Sequence, residues 1–204
     1  MSSYGNRSAA LPSPWRTGGG FALAALCGGL FTSACVVFER NIGSLFPSPL
    51  PFFVGTGLSG YIGGLFFGRG WRTAASFAAS FASFPLLFVL ISWLASLLIS
   101  ASPESEGSIS EGLALGSVAA IGAFFATRDR HFAFVAFASF LFGGLVGAFS
   151  ARLTNFALNL HNHAPAYTTI GARVFLVLPF DMAAVFGLFS GGTLLGFAIR
   201  YREI

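Results

Sequence analysis

Lysine and glutamine are absent from this 204-residue chain, and charged residues of every kind make up only 9% of it. An ordinary soluble domain carries about a quarter charged residues, so too little charge is present to clothe a water-facing surface. Cysteine is scarce too: Cys27 and Cys35 both fall within one apolar run. Two such residues cannot supply a disulfide framework and lack metal-ligand spacing, so both read as small core residues, and no metal or cofactor is expected. Phosphate loops, zinc-protease histidine pairs, paired acid/base carboxylates and dinucleotide fingerprints are also missing. The chain therefore reads as a non-enzyme without catalytic residues.

What is present is apolar. Hydrophobic residues reach 55%, and the mean hydropathy is +0.78. Apolar runs lie near 19 to 38, 50 to 68, 77 to 100, 111 to 127, 131 to 152 and 174 to 199. Each is long enough or nearly long enough to cross a bilayer as a helix, the form that satisfies every backbone hydrogen bond internally. Strict alternation of apolar and polar residues, the signature of a membrane barrel, is lacking. The expected fold is all-α: a polytopic transmembrane bundle of about six helices filling one domain, 19 to 200, between short tails at 1 to 18 and 201 to 204. The fourth run is the weakest, being short and interrupted by Gly112, Gly116 and Gly122.

The net charge is +4 and the pI near 9.7, but the arginines are dispersed between apolar runs and form no patch, so nucleic acid is not an expected partner. They read as topology signals. With the N-terminus in the cytoplasm, Arg7, Arg16, Arg69, Arg72, Arg128, Arg130, Arg200 and Arg202 lie inside, and only Arg40, Arg152 and Arg173 outside. The expected residence is the plasma (inner) membrane with both termini cytoplasmic, and with Glu104, Glu106 and Glu111 in an outer loop. The first run reads as a retained helix, because it is longer than a signal-peptide core and no small-x-small cleavage site leads from it into a soluble mature domain.

The chain also echoes itself at an offset of 59 residues, which carries Gly57 onto Gly116, Ile62 onto Ile121, Gly63 onto Gly122, Phe66 onto Phe125 and Arg69 onto Arg128. Parallel helix-hairpin repeats are thus a candidate organisation, and transporters place sites between such repeats. Gly60, Gly64 and Gly68 recur every four residues, as do Gly187 with Gly191 and Gly192 with Gly196. That spacing puts each set on one helix face, where a neighbouring backbone can approach closely.

Asp181 is the acid set deepest in an apolar run, in Val177-Leu178-Pro179-Phe180-Asp181. Acids at such depth face a bundle interior or pair with a cation, and Arg152 and Arg173 near the outer helix ends are the expected partners. Pro179 should bend its helix and free a carbonyl nearby. Ser190, farther along the same run, completes the expected solute- or ion-binding set. The connection from 153 to 173 carries Leu153, Phe156, Ala157 and Leu160 at helical spacing, the pattern of a short amphipathic helix on the outer surface. His161 and His163 in it lack further ligands for a metal.

Gly57-Leu58-Ser59-Gly60 resembles the Gly-x-Ser-Gly motif of rhomboid intramembrane proteases. The resemblance covers one helix only. That family's nucleophile needs a histidine in a later transmembrane helix, whereas His131, His161 and His163 fall at or beyond helix ends. Two functions remain: a small transporter, or substrate-capture subunit of one, acting on an unknown small solute, and a non-catalytic structural subunit of a larger membrane complex. Expected partners are the lipid bilayer and either further copies of the chain or other membrane subunits. For transport, Asp181→Asn is expected to abolish solute or proton coupling in an uptake assay while the folded protein stays in the membrane; full activity would remove Asp181 from the site.

Overall fold

The computed structural model describes residues 13–42, 50–67, 70–98, 103–161 and 170–202, with side chains except at 36–42, 98, 103–107, 155, 157–161, 170–181 and 202. All of its regular structure is helical: α1 (Pro14–Ile42), α2 (Leu50–Phe66), α3 (Trp71–Ala82), α4 (Phe84–Leu98), α5 (Pro103–Thr127), α6 (Arg130–His161) and α7 (Ile170–Arg202). Among the described residues four helices are long and apolar enough to cross a membrane, or five if the bent pair α3 and α4 is counted as one span. The apolar α2 is shorter, at 17 residues. The chain is a membrane-embedded helical bundle.

Several boundaries differ from those expected. The first helix begins at Pro14, within the stretch read as a tail. Residues expected to form one span from 77 to 100 are two helices meeting at Ser83 with a bend of 41°. Pro85 is the cause, since it has no N–H to return to the Phe81 carbonyl one turn earlier. Ser83 tightens the end of α3 instead, its N–H and its hydroxyl both donating to the Ser80 carbonyl, at 3.1 and 2.6 Å. Residues 153 to 161 are no separate surface helix but the continuation of α6. Glu104, Glu106 and Glu111 are not in a loop: α5 starts at Pro103 and contains all three. Pro179 does not interrupt α7.

Six helices close a ring in the order α1, α2, α3, α5, α6, α7 and back to α1, with α4 leaning away onto α5. Lipid tails are as apolar as leucine, so burial cannot hold such a ring together. Close packing must do it, and small residues permit the approach. A methyl group at Gly143 would overlap the Gly187 carbonyl and stand 2.9 Å from the Gly191 amide nitrogen. One at Gly64 would stand 2.7 Å from the Ala74 Cα, one at Gly191 2.7 Å from the Phe140 ring, one at Gly192 3.2 Å from the Gly18 Cα, and one at Gly196 2.7 Å from the Pro14 Cα. Gly60 sits against the Phe77 carbonyl and Gly187 against that of Gly143. Gly68 lies outside the described residues.

The offset of 59 residues has a structural counterpart. Gly57 of α2 faces Ala78 and Ala82 of α3, and Gly116 of α5 faces Phe137 and Leu141 of α6, each partner displaced by the same offset. The two hairpins therefore pack in one register.

Phenylalanines fill the centre of the ring. Phe21 lies 5.0 Å from Phe140 and 5.9 Å from Phe77 in edge-to-face contacts, and Phe81 meets Phe140 edge-on at 6.1 Å. All four are buried, and each such pair contributes about 0.5 to 1.5 kcal/mol beyond its buried area. At one end of the ring lie exposed Arg16, Arg72, Arg128, Arg130 and Arg200, together with exposed Trp15, Trp71 and Tyr201. Aromatic residues of this kind favour a membrane interface.

Thermal unfolding in lipid nanodiscs tests the backbone contacts. Gly143→Ala is expected to destabilise by about 1 to 3 kcal/mol, because its methyl meets backbone that cannot rotate away. Gly19→Ala, where nothing lies within 4 Å, should leave stability unchanged or raise it.

Candidate functional site

A cavity of about 610 Å³ lies in the half of the ring beyond Ser83. α3 ends at its edge, and α4, which packs mainly on α5, supplies one of its walls. Its walls are α1 (Ala25, Gly28, Gly29, Thr32, Ser33), α2 (Phe52, Gly55, Thr56, Ser59), the bent pair (Phe81, Phe84, Pro85, Phe88, Val89), α5 (Glu111, Leu115) and α7 (Ala183, Ala184, Leu188). Phe81 belongs both to this wall and to the central phenylalanine cluster. The cluster thus forms the floor that separates the cavity from the arginine-rich end.

Glu111 is the only charged side chain among the described residues of the wall. It stands two turns into α5, about 12 Å from Pro103 at 1.5 Å per residue, and is half-buried. Gly112 beside it lets α6 approach, since a methyl group at Gly144 would be 2.5 Å from the Gly112 Cα. No described residue donates a hydrogen bond to the Glu111 carboxylate. Three of the wall hydroxyls are bonded to backbone. Thr32 donates to the Gly28 carbonyl at 2.9 Å, Thr56 to that of Phe52 at 2.8 Å, and Ser59 to those of Ala24 and Gly55 at 3.0 and 3.1 Å.

The residues expected to form the site are distributed differently. Ser190 is half-buried on α7 and does not line the cavity. Arg152 reaches from α6 to α5, donating from Nη2 to the Ser108 hydroxyl at 2.9 Å. The side chains of Asp181 and Arg173 lie outside the described residues, as do those of His161 and His163. Cys27 and Cys35 are both half-buried free thiols. Among the described residues no group of three histidines, cysteines or carboxylates could hold a metal.

Sequence reading missed Glu111 because it placed the start of the fourth span there and counted the residue with the acidic connection. The signal was Ser108-Ile109-Ser110 before it, small and uncharged residues that continue the helix. Ser59 is a packing hydroxyl in this geometry: both its bonds go to backbone carbonyls between α1 and α2, and no described histidine lies beside it. No protein-family model, curated protein or solved structure is similar to this chain.

A serine without a base does not become a nucleophile. A fluorophosphonate probe is accordingly expected to leave Ser59 unlabelled in membranes, read by mass spectrometry of the α2 peptide; stoichiometric labelling would restore the protease reading.

Proposed function

We propose that this integral membrane protein binds a small solute in the cavity around Glu111, as a small transporter or the substrate-capture subunit of one. A single observation carries the reading: a carboxylate without a described partner lines a cavity of about 610 Å³ among helices packed through phenylalanine and glycine contacts. Ligand pockets for small molecules run from about 300 to 1,000 Å³ and combine apolar walls with few polar groups. An ionisable residue within a membrane bundle is costly, and such residues mark pathways and binding sites.

In this reading the wall residues hold the solute, and the floor formed by Phe21, Phe77, Phe81 and Phe140 blocks its passage until the ring rearranges. The bend at Ser83 is the joint about which α4 would move. Asp181 belongs to the same proposal, since it precedes cavity-lining Ala184 by three residues on α7. The arginine-rich end is assigned to the cytoplasm by the excess of arginine there. The cavity then faces the outer side, as capture of an external solute requires.

Native mass spectrometry of protein released from lipid nanodiscs tests the proposal. Wild-type protein is expected to carry a solute-sized adduct that Thr56→Trp, which fills the cavity, removes. Preparations that carry no adduct but retain a stoichiometric subunit of different sequence would favour the structural-subunit reading.

A further inference from the structure

Resting on the reading of the cavity as a solute site, we infer that its ligand is an organic cation, an ammonium group on an apolar body. The wall decides this through what it can donate and accept. Each of Thr32, Thr56 and Ser59 has one hydroxyl proton, and each gives it to a backbone carbonyl. What these hydroxyls present to a ligand is lone pairs. Among the described wall residues there is no arginine, lysine, histidine, amide side chain, tyrosine or tryptophan, so the wall offers no cationic donor to an anion.

Glu111 supplies the matching charge. An ammonium group beside it is neutralised within the wall, whereas a carboxylate or phosphate would meet a like charge in surroundings that screen poorly. Phe52, Phe81, Phe84 and Phe88 line the same space. Aromatic faces attract a cation and exclude no apolar body, so they serve both halves of such a ligand. Walls without a cationic donor, the acid Glu111 and several aromatic rings together select an amphipathic cation over neutral or anionic solutes of equal size.

The test uses three probes of nearly equal shape: 2-phenylethylammonium, neutral 2-phenylethanol and anionic phenylacetate. Each is titrated calorimetrically into the full chain in lipid nanodiscs, with empty nanodiscs as the blank. The ammonium is expected to bind roughly tenfold or more tightly than the alcohol, the gain of one charge-assisted contact, and phenylacetate is expected not to bind. Glu111→Gln should reduce the ammonium to the affinity of the alcohol. The inference is overturned if alcohol or phenylacetate binds wild-type protein as tightly as the ammonium, if Glu111→Gln keeps the full preference, or if none of the probes binds. The wild-type comparison stands even where the variant fails to fold. Binding that Thr56→Trp leaves unchanged would instead overturn the cavity as the site, which separates failure of the ligand class from failure of the underlying reading.

Discussion

Direct contact between helix backbones is the constraint on which this bundle rests. A ring of helices in lipid gains little from transferring apolar side chains out of one oily medium into another, so what holds it is the number of atoms brought to van der Waals distance. Glycine permits the nearest approach at successive joints of the ring: Gly143 and Gly187 between α6 and α7, Gly28 and Gly55 between α1 and α2, Gly112 and Gly144 between α5 and α6. Where backbones meet this closely, neighbouring side chains are forced to the centre or to the outside. Phe21, Phe77, Phe81 and Phe140 take the centre.

The cavity lies where this packing is interrupted. Pro85 removes one backbone bond, the chain bends at Ser83, and α4 leaves the ring on the α5 side. Below the bend the interior is filled with aromatic rings; above it α1, α2, α4, α5 and α7 line open space. Glu111 stands on that space and would be untenable one helix face away, against lipid, where a charge costs several kcal/mol. A proline, a small-residue seam and an acid thus act together although no two of them are adjacent in sequence.

Much of the organisation was legible beforehand because it depends on local composition. Arginines between apolar runs and helix-spaced glycines are visible residue by residue, and the hairpin register could be suspected from the pairing of Gly57 with Gly116. Element ends were less so. The starts of α5 at Pro103 and of α3 at Trp71, and the continuation of α6 to His161, depend on polar and small residues that are acceptable in a helix as well as in a loop. That ambiguity moved Glu111 into a connection and directed attention to Asp181, whose flanking residues are more hydrophobic.

By itself the sequence determined that this chain belongs in a membrane and is built from helices, because hydropathy and hydrogen-bond closure act along one helix at a time. Only the tertiary structure decided which acid stands at a cavity, that Ser59 is spent on joining α1 to α2, and that the third span is bent out of the ring. These are relations between helices, set by where backbones touch and where they part, and no window along the chain contains both partners.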